Sequence, residues 1–258
     1  MTAVSLFLAS AVVLSAEPVP VHHLEGLVHG FLSLRSPEGR LIASGDLIQN
    51  MRDDRVTSRL VFHFKDGSLS DETTVFSERG QFLLLTDHLV QKGPSFPQPL
   101  DMTIDRATGH AVVRYRDKHG EEKVEDEMMD LPADLASGMA LINFMKNVRS
   151  DAPPKSLSFV VATPKPRLVK LMISVAGADP FYIAGAKKEA THYVLHIDLG
   201  GLTGKVAPIV GKQPPDAHVW ILEGEAPAFV RSRSQMFQDA PVWQIDLAGP
   251  QWNDRARN

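Results

Sequence analysis

The stretch "RVTSRLVFHFK", residues 55–65, carries apolar side chains at alternate positions. Val56, Leu60, Phe62 and Phe64 fall on one face with Ser58, and Arg59, His63 and Lys65 on the other. Successive side chains of a strand point to opposite faces, so this period of two reads as a half-buried strand. The pattern recurs between turn signals. Asp66-Gly67 precedes "TTVFS", and "QFLLLTDHLV" follows Arg79-Gly80. "LDMTID" and "HAVVRYRD" flank "RATG", and "RDKHGEEKVE" turns at Lys118 to Gly120. The second half adds "RLVKLMISVAG", "ATHYVLHIDL" and "PVWQIDL". The expectation is about twelve strands, at the short spacing of antiparallel sheets.

One segment breaks the pattern. In "LPADLASGMALINFMKNV", Leu135, Met139, Ile142 and Met145 recur at helical spacing, and Leu141, Phe144 and Val148 widen the apolar stripe. Pro132 suits a first helical turn. The spacing predicts a helix over about residues 133–148, covered on most sides. The predicted fold class is therefore mainly β: a curved, mostly antiparallel, open barrel-like sheet with one buried α-helix near the middle of the chain. A single β-rich domain over residues 17–258 is the first organisation. Two β-rich subdomains meeting near residue 150, where "RSDAPPKS" reads as a linker, are the alternative.

Residues 4–16, "VSLFLASAVVLSA", form an apolar run that ends in Leu14-Ser15-Ala16 before Glu17-Pro18. That is the pattern of a secretory signal peptide over residues 1–16, although no Lys or Arg precedes it. The run is too short for a bilayer span, and no other stretch is long enough. The expected location is periplasmic or secreted. The net charge of −4 argues against a nucleic-acid partner. With no cysteine, thiol chemistry, disulfides and Cys-bound metals are excluded. No Gly-x-Ser-x-Gly elbow occurs, and "GGLTGK" at residues 200–205 lacks Walker spacing and reads as a turn. The acidic run "EEKVEDEMMD" reads as a solvated face.

The exported start, the hairpin-rich first half, the helix after "DLP" and the Trp-containing closing strands resemble uncharacterised exported bacterial β-rich proteins of unknown function. Their sheet-around-helix pattern is similar to that of periplasmic lipoprotein carriers. The resemblance implies a shape and a compartment. It transfers no catalytic residue, and fold alone does not define function.

Aromatic residues are sparse, yet Trp220, Phe229, Trp243 and Trp252 gather near the C-terminus. In "HVWILEGEAPAFVR", a two-residue turn at Gly224-Glu225 would pair Glu223 with Ala226. Trp220 then faces Phe229, Leu222 faces Pro227, and His218 faces Arg231. That face has the chemistry of an apolar pocket with a polar mouth. The candidate ligand-binding residues are Phe96, Met139, Phe144, Trp220 and Phe229, with His218 and Arg231 at the rim. The expected ligand is a hydrophobic or lipid-like molecule held without catalysis. An envelope-protein interaction module is the alternative. A hydrolase or metal enzyme using His196 and Asp198, about 7 Å apart on one strand face, is a third reading. No cofactor and no bound metal is expected.

Overall fold

The computed structural model describes residues 18–183, 185–200 and 213–249. The signal-like segment 1–16, most of the Gly-rich turn 200–205 and Trp252 lie outside the described residues. The N-terminal strands are β1 (Val28–Arg35), β2 (Leu41–Arg52), β3 (Arg55–Phe64), β4 (Leu69–Ser77), β5 (Leu83–Lys92), β6 (Leu100–Asp105), β7 (His110–Arg116) and β8 (Glu122–Met128). A short β9 (Leu135–Ala136) precedes the helix α1 (Gly138–Lys146). Then follow β10 (Ser156–Val161), β11 (Arg167–Ile183), β12 (Ala186–Asp198), β13 (Ala217–Leu222), β14 (Ala228–Ser234) and β15 (Trp243–Leu247).

These strands form one sheet in the order β8-β7-β6-β5-β4-β3-β2-β1-β15-β14-β13-β12-β11-β10-β9. Two meanders are thus joined where β1 pairs with β15, Leu34 opposite Ile245. Every neighbour is antiparallel except β9 beside β10. The sheet curls without closing into a barrel. The expected mainly β, open barrel-like sheet around one helix is the observed one, with fifteen strands among the described residues rather than about twelve.

Alternation puts the core on the concave face. Val56, Ser58, Leu60, Phe62 and Phe64 of β3 are all buried. Their cross-strand partners on β2 include Gly45 opposite Phe62. A Cβ at Gly45 would stand 2.6 Å from the Phe62 ring, so only glycine lets that ring lie flat against the sheet. Each fully buried Leu or Phe contributes about 1.5–3 kcal/mol. One apolar cluster spans both meanders, with Phe76, Phe82, Leu84, Met102 and Ile104 from one and Leu157, Tyr193, Leu195 and Ile221 from the other.

The helix is shorter than the predicted 133–148. Leu135 and Ala136 pair with Ser158 and Phe159 instead, so the backbone before Ser137 is strand. The Arg106 guanidinium holds the preceding carbonyls of Leu131 and Pro132 at 2.8 and 2.6 Å. Ser137 occupies the N-cap position without capping. Its hydroxyl donates instead to Asp87 Oδ2 on β5, 2.7 Å away, while Thr74 Oγ1 donates to Oδ1 at 2.9 Å. Further along, Asn143 donates to Gln49 Oε1, which also accepts from Ser58. Lys146 forms an ion pair with the buried Glu25. A polar seam therefore runs along the contact between helix and sheet. Burial pushes Asp87 above the ordinary carboxylate range, and burial with the Asp87 charge pushes Glu72 well above it.

Gly138 opens the helix at φ +50, in the left-handed region. A Cβ there would lie 2.3 Å from the Glu72 carboxyl carbon. Gly138→Ala is expected to cost about 1–3 kcal/mol, read as a lower urea midpoint. An unchanged midpoint would contradict this account of the helix start.

Candidate functional site

The β13–β14 hairpin departs from the two-residue turn expected at Gly224-Glu225. Leu222 pairs with Ala228, so the connection is longer than expected, and a bulge follows. Ile221 lies opposite Phe229, but Trp220 lies opposite Arg231 and His218 opposite Arg233. The longer connection alone separates Trp220 from Phe229, and the register shift between Trp220 and Ile221 then brings Arg231 opposite Trp220. Phe229 packs against the two apolar clusters of the concave face. Trp220 stands with His218 and Arg231 on the convex face. The expected Trp220–Phe229 face is thus corrected to two faces: the longer connection moves the pairing by one residue and puts Phe229 opposite Ile221, and the bulge moves it by one more and puts Arg231 opposite Trp220.

The convex-face group is closely knit. His192 stacks on Trp220 with ring centroids 4.2 Å apart and an interplanar angle of 13°. His192 Nε2 lies 2.9 Å from His218 Nδ1. The Arg231 and Arg233 guanidinium carbons stand 6.0 and 5.7 Å from the Trp220 ring. Arg231 also donates to Asp246 Oδ1 at 2.6 Å. Trp220 Nε1 donates to Asp179 Oδ2 at 2.8 Å. Although it lies on the outer face, Trp220 is only 8% exposed, because these neighbours cover it. The group ties β11 and β12 to β13 near the point where the β11–β12 hairpin leaves the sheet.

His196 and Asp198 do not meet. His196 Nδ1 is 2.7 Å from Asp216 Oδ1, and Asp198 accepts from the Gly200 amide. Both His196 and Asp198 are exposed. Among the described residues no three His, Asp or Glu side chains converge as a metal site.

Met139 and Phe144 lie on the helix and are 6% and 1% exposed. Phe144 meets Phe82 edge-on at 5.9 Å, within the larger cluster. Met139 belongs to a second cluster with Leu60, Phe62, Phe64, Phe96 and Trp243. The space between helix and sheet at these residues is occupied by side chains.

Phe96 marks a different place, the end of the curl where the β5–β6 and β14–β15 loops approach. Its ring lies 5.2 Å from Phe64, 5.6 Å from Phe237 and 6.3 Å from Trp243. Edge-on aromatic pairs of this kind add about 0.5–1.5 kcal/mol each. The loops are held by Ser95, which donates its hydroxyl to Asp66, and by Gln91, which donates to the Met236 carbonyl. The Ser95 hydroxyl in turn keeps the exposed Asp66 carboxyl below its ordinary pKa.

Two hollows flank this aromatic group. One of about 270 Å³ is lined by Pro97, Leu100, Ala162, Pro164 and Phe237 together with Gln91 and Gln98. The other, of about 540 Å³, is lined by Leu41, Ile42, Phe64 and Trp243, with Arg40 and Lys65 and the acidic Glu38 and Asp66 supplying its charges. Phe96 contacts aromatic rings that line both. Sequence reasoning picked Phe96 from its Pro-rich loop but missed Phe237, Arg40 and Lys65. The proline-bracketed aromatics of "PSFPQP" and "MFQDAPVW" are the signal that marks the two loops.

No protein-family model matches this chain, and no curated protein matches it. Two solved structures are similar. The hypothetical lipoprotein YmcC from Escherichia coli shares 8% identity at a TM-score of 0.38, covering 88% of this chain and 87% of its own. The beta-barrel-like protein of domain of unknown function DUF1849 from Brucella abortus shares 11% identity at a TM-score of 0.43, covering 93% of this chain and 100% of its own.

Burial, the adjacent His218 and the Arg233 charge lower the His192 pKa, against the opposing pull of Asp179. The folded state therefore binds fewer protons at His192 than the unfolded chain does. His192 costs nothing above the ordinary histidine pKa and destabilises progressively as pH falls through it. His192→Gln is expected to remove this part of the acid sensitivity. Melting curves of both proteins between about pH 5 and pH 8 would converge toward acid, and a pH-independent difference would contradict the assignment.

Proposed function

We propose that this chain is an exported, non-enzymatic β protein of the bacterial envelope that binds a hydrophobic, lipid-like ligand. The signal-like start supports the compartment. The binding place we assign is the end of the curl beside Phe96, not the contact between helix and sheet. The observation that carries this reading is the position of Phe96 between two open hollows. The larger hollow is within the roughly 300–1,000 Å³ of small-molecule sites. In this reading the ligand spans both hollows past the Phe96–Phe237 contact.

The ligand class follows from the lining. An alkyl chain fits against Leu100, Ala162, Pro164 and Phe237. In this reading an anionic head meets Arg40 and Lys65 in the larger hollow, which Glu38 and Asp66 also line. Arg231, the earlier candidate for such a head, is held by Asp246 at 2.6 Å, whereas Arg40 meets Glu38 only at 3.8 Å with both side chains exposed. Phe64, Phe237 and Trp243 then contact the chain with Phe96 packed behind them, and Arg40 and Lys65 select the head. The Trp220 group instead fastens the β11–β12 hairpin.

The chain has three tryptophans, so a Trp220→Phe/Trp252→Phe variant reports on Trp243 alone. A brominated fatty acid is expected to quench that variant to saturation. Adding Arg40→Glu and Lys65→Glu should weaken binding about fivefold or more, with the circular dichroism spectrum unchanged. Absence of quenching at Trp243, or quenching confined to a variant that keeps Trp220 alone, would overturn the assignment.

A further inference from the structure

β11 and β12 outrun their neighbours. β10 accompanies β11 no further than Met172, and β13 accompanies β12 no further than Thr191. Beyond that point five cross-strand pairs, from Asp179–Ala190 to Ile183–Ala186, continue as a two-stranded arm. At about 3.3 Å per residue the arm projects roughly 15 Å past the sheet. A hairpin with two open edges buries little of its own surface and is marginal in water.

The end of this arm is apolar where solvent would favour polar residues. Tyr182 is 71% and Ile183 53% exposed, and Phe181 is half-buried. Ala186 is exposed as well, and Gly185 sits at φ +80 where the chain reverses. At the same level as the two rings, Lys187 lies opposite Tyr182 and Lys188 opposite Phe181, both lysines exposed. Acidic groups enter only further back. Glu189 approaches Lys187 at 3.7 Å, and Asp179 is engaged by Trp220 and His192 at the base.

We propose that the arm is a membrane-contact element whose tip inserts into the interface of an anionic bilayer. The order along the arm matches the order of a bilayer surface. Ile183 and Ala186 meet the acyl boundary. The next two levels pair an aromatic ring with a lysine, Tyr182 with Lys187 and Phe181 with Lys188. The rings sit in the interface while the lysine stems carry their charges back to the anionic headgroups. A partner strand fits less well, because Pro180 offers no N–H to an added strand and the bulge at Val175/Gly177 twists the β11 edge. The Trp220–Asp179 hydrogen bond and the His192 stack fix the base, so the arm presents its tip in a set direction. A single small tip gives reversible attachment, since stable anchoring takes a second signal.

Sedimentation of the full chain with vesicles tests this. Binding is expected to vesicles of phosphatidylcholine with phosphatidylglycerol, with about tenfold weaker binding to phosphatidylcholine alone. High salt should weaken it. Tyr182→Ser/Ile183→Ser and Lys187→Glu/Lys188→Glu should each lower vesicle binding about tenfold, with thermal unfolding and the Trp243 quenching by brominated fatty acid preserved. Retained quenching separates the arm from the groove, so either assignment can fail alone. Wild-type protein that stays in the supernatant, or tip variants that bind as wild type, would overturn the proposal. A dimer abolished by the tip variant, without vesicle binding, would overturn it too and assign the tip to a second copy of the chain.

Discussion

Asp87 accepts one hydrogen bond from Thr74 on the sheet and another from Ser137 at the start of the helix, with no exposure to water. The rest of the architecture depends on this contact and the seam that continues it through Gln49, Ser58 and Asn143. A nine-residue helix has no stability of its own in water. Its apolar side chains supply the burial, and the buried polar groups supply the position. Leaving one such group without its partner costs about 1–3 kcal/mol, so the helix has one favourable seat. That seat sets the radius to which β3, β4, β13 and β14 curl.

A seated helix fills the concavity, which directs any binding function to the ends of the curl. The two ends carry different chemistry. Thr163 and Pro164, just before β11, line the hollow beside Phe237. β11 then runs seventeen residues to Ile183 at the tip of the arm, a path of roughly 50 Å. The aromatic groove and the exposed arm therefore sit far apart on one strand. The Trp220 group belongs to the arm: its histidines and arginines cover the indole, and the indole holds Asp179.

Much of this architecture was legible in the sequence, because period-two alternation is a local signal. "RVTSRLVFHFK" placed its inner and outer faces correctly along β3. The helix was legible in kind but not in length. Leu135 and Ala136 satisfy a helical stripe equally well, and pairing with distant Ser158 and Phe159 decided their state. The Trp220–Phe229 hairpin shows how a register argument fails. The longer turn moves the pairing by one residue and the bulge by one more, and no residue in "HVWILEGEAPAFVR" announces either. Arg40 and Lys65 of one hollow and Phe237 of the other come from separate loops, and the nearness of the two hollows follows from the β1–β15 junction rather than from any local motif. The arm was hidden for a similar reason. "FYIAGAKK" looks like any apolar hairpin until the neighbouring strands are seen to stop short of it.

The central claim is that a filled interior sends the ligand to the end of the curl. Hydrogen exchange with and without decanoate measures this most directly. The account predicts that protection rises in the loops at residues 93–98 and 235–241, while the amides of helix 138–146 exchange as in the free protein. Protection that rises along the helix and leaves both loops unchanged would place the ligand between helix and sheet and contradict the account.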